Sequence, residues 1–204
     1  ALVAGSEKII AANRTDMENG EKNNMPKGLL DRLYLDEKRI RAMAEGLVVL
    51  TELPDPIGET VASFDRPNGL HIDQVRVPMG VVGIIYEARP NVTADAFGLC
   101  FKSGNAVILK GGKEAVHSCK AITDVLRDAI ESCGIPADVL QYIDSTSREV
   151  TVEFMKMKGY LDVLIPRGGA GLIRAAVENA AVPVIETGTG NCHIFVDKTA
   201  DLDM

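Results

Sequence analysis

From Gly80 onward, six short apolar runs punctuate the chain: GVVGIIY, AVILK, VLQYID, LDVLIP, VPVIE and CHIFVD. Segments with helical periodicity fill the gaps between the first five. No other feature restricts the fold as strongly. Strands that read as near-continuous apolar runs are buried on both faces, and their alternation with amphipathic helices indicates a parallel sheet covered on both sides. Right-handed crossovers then lead to a doubly wound, Rossmann-like α/β domain. In one intervening segment Ile122, Val125, Leu126, Ala129, Ile130 and Cys133 make a single stripe, closed by Gly134 and Pro136.

Ahead of this region, Ile40, Met43, Ala44, Leu47 and Leu50 recur at helical spacing, with Asp36 placed to cap the start and Pro54 and Pro56 to end it. The polar stretch NRTDMENGEKNNMPKG reads as a surface connection with at most a helical turn. Asp65-Arg66-Pro67-Asn68-Gly69 is a turn signal, because Asn-Gly accepts positive φ cheaply. It predicts a hairpin from about Val61 to Phe64 and from about Leu70 to Val77. Such a hairpin either pairs with another chain or packs on its own domain, and local sequence leaves both open. The expected organisation is an N-terminal helical segment (1–58) packed on a nucleotide-binding domain (79–204), with the hairpin (59–78) between them.

Composition removes several functions. A net charge of −7 argues against non-specific nucleic-acid binding, which needs a basic surface. No apolar run approaches the roughly 18 residues of a membrane span, and the N-terminus has no signal-peptide pattern, so a cytoplasmic protein is expected. Cys100, Cys119, Cys133 and Cys192 show no CxxC and no histidine at zinc-site spacing, which predicts no metal site and reduced, mostly buried thiols.

In open α/β sheets ligands bind beyond the carboxyl ends of the strands. There, AVIL runs into Lys110-Gly111-Gly112-Lys113, and LDVLIP runs into Arg167-Gly168-Gly169-Ala170-Gly171, each ahead of a helix. Glycines permit close backbone approach and a helix N-terminus favours an anion. The first turn suits phosphate or ribose, or is a bend with solvated lysines; the second is a further phosphate site. Neither is GxGxxG or a P-loop. Two anion sites suit a dinucleotide. Within YEARPNVTADAFGLCFKSGN, Thr93 is the expected N-cap of a helix closed by Gly104, and Arg89 and Asn91 sit where a substrate is met. Asn91 is either a turn residue or an oxyanion donor. In CHIFVD, period-two alternation puts Cys192 with Ile194 and Val196, which reads as core packing rather than a nucleophile.

DMENG, LLDRL, LPDPIGE, RPNGL, the block VRVPMG through KGGKEA, LIPRGGAGLI and PVIETGTGNCHIFVD together resemble the aldehyde dehydrogenase superfamily, and within it the gamma-glutamyl phosphate reductase branch (glutamate-5-semialdehyde dehydrogenases). The resemblance implies that Lys110, with Gly111 and Gly112, contacts the cofactor ribose, and that Lys113 replaces a ribose-binding Glu and attracts a 2′-phosphate. NADP(H) is therefore the implied cofactor. Arg167, Gly168 and Gly169 match the second nucleotide turn, Glu186 matches the general-base position, and Asn91 is a substitute for the oxyanion donor.

The implied reaction is reduction of L-glutamyl 5-phosphate to glutamate 5-semialdehyde in proline biosynthesis. A cysteine thiolate displaces phosphate and NADPH reduces the resulting thioester. In the branch that cysteine lies on a separate domain, expected to be absent from this chain, as is part of the N-terminal helix. The chain alone is then expected to be inactive. The resemblance further implies a homo-oligomer built through the hairpin and functional association with glutamate 5-kinase. Two other readings stand beside it: the reductase half of a bifunctional pyrroline-5-carboxylate synthase, and a non-catalytic nucleotide-binding or oligomerisation module.

Overall fold

The computed structural model describes residues 1–186, 188 and 192–201. Three helices come first: α1 (Ser6–Lys22), α2 (Lys27–Leu33) and α3 (Glu37–Glu52). A hairpin of β1 (Thr60–Asp65) and β2 (His71–Val75) follows. Then come β3 (Val81–Tyr86), α4 (Asn91–Lys102), β4 (Ala106–Lys110), α5 (Val116–Ser132), β5 (Leu140–Tyr142), α6 (Arg148–Met155), β6 (Val163–Arg167) and α7 (Ala170–Asn179).

The four strands from β3 to β6 are parallel and ordered β5-β4-β3-β6. The chain builds outward from β3 through β4 to β5, then returns to place β6 on the other side of β3. That reversal creates a topological switch point between β3 and β6. The period-two alternation of each strand separates two cores. Val82, Ile84, Tyr86, Val107, Leu109 and Val163 join α4 and α5 on one face. Ile85 and Leu164 join Phe154 and Met155 of α6 and Ala176 of α7 on the other. The sheet is therefore covered on both sides, as the apolar runs predict.

Local expectations fare differently. The Asp36 side chain accepts from Arg39 N at 2.7 Å and caps α3, and Gly69 supplies the positive φ (85°) of the hairpin turn. Thr93 is not a cap. It is buried inside α4, and its hydroxyl meets Tyr86 Oη at 2.7 Å. Cys133 lies past the end of α5 and is exposed, unlike the rest of its stripe. CHIFVD forms no strand in its described residues: Ile194 is 91% and Phe195 87% exposed, and Cys192 is exposed rather than packed. A strand needs a neighbour for its backbone groups, and no described segment pairs with this one. VPVIE contributes a single bridge, Val184 to Leu164.

The polar stretch read as a connection is largely α1. Its buried face is Ile9, Asn13, Asp16 and Gly20, at helical spacing but mostly polar. Asn13 donates from Nδ2 to Leu33 O at 2.8 Å and accepts from Leu35 N at 2.9 Å, so it ties down the end of α2. Asp16 reaches the start of α5. Its carboxylate accepts from Ser118 N at 2.7 Å, Ser118 Oγ at 2.6 Å, His117 N at 3.3 Å and His117 Nδ1 at 2.7 Å. An acid from another helix thus does what a local N-cap would do.

Candidate nucleotide and substrate site

A cavity of about 1580 Å³ opens at the carboxyl ends of β3 and β6. Its walls include Glu87, Arg89 and Asn91 after β3, Lys113 and Glu114 after β4, Arg167 at the end of β6, and Gly168 and Gly169 after it. The sheet register explains why they meet. Tyr86 pairs with Arg167 across the switch point, and Ile85 pairs with Lys110 on the other side of the same strand. The two turns singled out from sequence thus flank β3.

Their geometry differs. Lys113 lines the cavity, whereas Lys110 lies beneath the turn, 5% exposed, with Nζ donating to Gly111 O at 3.1 Å. Burial lowers the Lys110 pKa, and nearby Cys119 and Glu114 oppose the shift. Gly111 and Gly112 sit tightly packed. A Cβ on Gly111 would lie 3.0 Å from Tyr142 Oη, and one on Gly112 would lie 2.7 Å from Glu114 Oε2. The Tyr142 hydroxyl under Gly111 is buried and has no hydrogen-bond partner among the described residues. The amides that sequence reasoning offered to an anion at the start of α5 are taken by Asp16.

At the second turn, sequence reasoning missed Glu87. Its Oε2 accepts from Gly169 N at 3.1 Å, at the start of α7. Gly168 makes this reach possible, since a Cβ there would lie 2.7 Å from Glu87 Cδ. A phosphate oxygen and the Glu87 carboxylate cannot both hold that amide. Glu87→Gln is therefore expected to tighten pyrophosphate and dinucleotide binding by roughly threefold to tenfold, because it removes a competing charge at a helix N-terminus. Calorimetric titration checks this, and weaker binding would show that the carboxylate itself holds the ligand. The available signal was an acid directly after β3, at the end of the strand where ligands bind.

The remaining candidates divide. Asn91 begins α4, and one N–H of its Nδ2 donates to Asp95 Oδ2 at 3.0 Å, which leaves the second N–H of that amide on the cavity side of the helix start. Arg89 is exposed on the cavity wall. Glu186 is exposed just after the Val184 bridge and is not among the residues lining the cavity, although Gly188 is. Burial pushes the Cys100 thiol up to about 11 and raises Cys119 as well, so both are protonated at neutral pH and poor nucleophiles. No cluster of His, Cys, Asp and Glu able to hold a metal occurs among the described residues. No described helix is long and apolar enough to cross a membrane.

A parallel sheet with its cavity at the switch point, and two glycine turns beside one strand, define a doubly wound, Rossmann-like α/β fold. The chain belongs to the aldehyde dehydrogenase family, whose model matches residues 9–204. Within that family it is similar to gamma-glutamyl phosphate reductases. It is 63% identical over 204 residues to the one from Heliobacterium modesticaldum, covering 100% of this chain and 49% of that protein. The crystal structure of the Thermotoga maritima gamma-glutamyl phosphate reductase superposes with a TM-score of 0.90 at 45% identity, covering 99% of this chain and 49% of that one. The Saccharomyces cerevisiae gamma-glutamyl phosphate reductase gives 0.80 at 32% identity, with 98% and 51% covered. The chain spans about half the length of the curated relatives it matches.

Proposed function

We propose that this chain is the nucleotide-binding part of an NADPH-dependent reductase acting on L-glutamyl 5-phosphate in the cytoplasm. The observation that carries the reading is the placement of Arg167, Gly168 and Gly169 on one cavity with Lys113, across the switch point of the sheet. High identity to proteins named gamma-glutamyl phosphate reductase supports the substrate. The donor set fits a phosphorylated dinucleotide. Arg167 and the amides at the start of α7 suit a diphosphate once Glu87 turns away, and Lys113 suits a further phosphate on the ribose. When bound, the dinucleotide supplies a hydride.

The residues of this chain bind and orient. The protonated, buried thiols Cys100 and Cys119 do not serve as nucleophile. The reacting thiol belongs to the part of its relatives that this chain does not span.

Two measurements test the reading. The complete gene product should reduce NADP in the presence of phosphate and glutamate 5-semialdehyde, whereas the present chain should bind NADPH weakly and show no turnover. In calorimetric titrations Lys113→Glu should weaken NADPH binding by roughly fivefold to tenfold and leave NADH unchanged or tighter. Equal losses for both nucleotides would remove the role given to Lys113.

A further inference from the structure

The nucleotide turns occupy only part of the cavity wall. A second part is formed by α4 and the residues leading into it, which carry Arg89, Asn91 and Asp95. Asp95 is half-buried, and its one hydrogen bond comes from the neutral amide of Asn91, at 3.0 Å. No cation partners it among the described residues. Two of the other three acids on the cavity are held by hydrogen bonds: Asp16 accepts from four donors and Glu87 holds Gly169 N. The third, Glu114, lies at the nucleotide turn, where its charge acts on Lys110. A carboxylate drawn part-way out of water without a counter-ion is unfavourable, and its pKa is raised by that burial. A cationic ligand group would relieve the cost.

Arg89 faces the same cavity and makes no ion pair among the described residues. Asn91 and Asp95 are one helical turn apart, roughly 6 Å along the axis, and Arg89 lies just before that turn. Arg89 and Asp95 line one cavity, so a ligand that carries both an ammonium and a carboxylate would meet an acid and an arginine there.

We propose that Asp95 binds the α-ammonium group of the substrate while Arg89 receives its α-carboxylate, so that the cavity selects acyl phosphates and aldehydes bearing an α-amino acid head group. Asp95 is a specificity residue that leaves the reacting carbon untouched. The assignment rests on the reductase reading above and adds the basis of substrate choice to it.

The test uses the complete gene product, assayed for phosphate-dependent reduction of NADP with two aldehydes, glutamate 5-semialdehyde and its analogue without the amino group, 5-oxopentanoate. Asp95→Asn is expected to raise KM for the amino aldehyde roughly 10- to 100-fold, the cost of losing a charged hydrogen bond. KM and kcat for 5-oxopentanoate should change less than about threefold on the same scale. NADPH affinity should be unchanged, which also shows that the variant is folded, and Asp95→Glu should recover part of the preference. Equal losses on both aldehydes, or no loss on the amino aldehyde, overturn the assignment while the reductase reading survives. A wild-type protein inactive on both overturns the reductase reading and this assignment together.

Discussion

Asp16→Ala is expected to lower the midpoint of thermal unfolding by roughly 6–12 °C, equivalent to about 3 kcal/mol for a chain of this size. The side chain is 2% exposed and accepts four hydrogen bonds from His117 and Ser118. Its removal strands two amides of the first turn of α5 and the Ser118 hydroxyl in a site water reaches poorly. The methyl group left behind repairs none of this. Asp16→Asn keeps the volume but turns part of an acceptor into a donor facing other donors, so it should recover only a fraction of the loss. A differential scanning measurement on the three proteins checks the order wild type, Asn, Ala. A shift below about 2 °C for alanine would mean that α1 docks through its apolar contacts and the Asn13 hydrogen bonds, without help from Asp16.

Arg167→Ala should weaken NADPH binding roughly 10- to 30-fold, with little change in stability. Arg167 ends β6 opposite Tyr86 and is exposed on the cavity. Its guanidinium makes no hydrogen bond or ion pair among the described residues, so folding does not depend on it. A guanidinium with that freedom beside a helix N-terminus is suited to gripping a phosphate in two places. Combined with Glu87→Gln, the two effects should oppose each other, one variant loosening and the other tightening the same ligand. Titration of NADPH against both variants and their double mutant measures whether they act on one site: a non-additive cycle couples them, and additive effects would separate them.

The sheet was legible because its signal is local and strong. Runs such as GVVGIIY and AVILK announce strands buried on both faces, and the loops after them locate the ligand edge. The start of α3 was legible for the same reason, since Asp36 caps its own helix. Helix α1 was not, because its buried stripe is Asn13, Asp16 and Gly20 after Ile9. Those polar groups are tolerated inside only because α2 and α5 supply their partners, from residues 20 to about 100 positions away. No window of hydrophobicity contains that information. For Lys110 the family resemblance implies a ribose contact, and sequence alone does not reveal that this last residue of β4 rests its ammonium on Gly111 O beneath the turn. No role for Glu87 is legible in the sequence, because its partner, Gly169 N, meets it only when α7 is brought against the end of β3. CHIFVD shows the converse. Its alternation is strand-like, yet a strand exists only with a neighbour, and none of the described segments provides one.

The central claim is that the turns after β4 and β6 grip one ligand across β3. Backbone amide exchange with and without saturating NADPH addresses it directly. Protection should rise together at residues 111–113 and 168–170, while the hairpin residues 60–75 exchange as before. Protection at only one of the two turns, or at neither while NADPH is bound, would contradict the account.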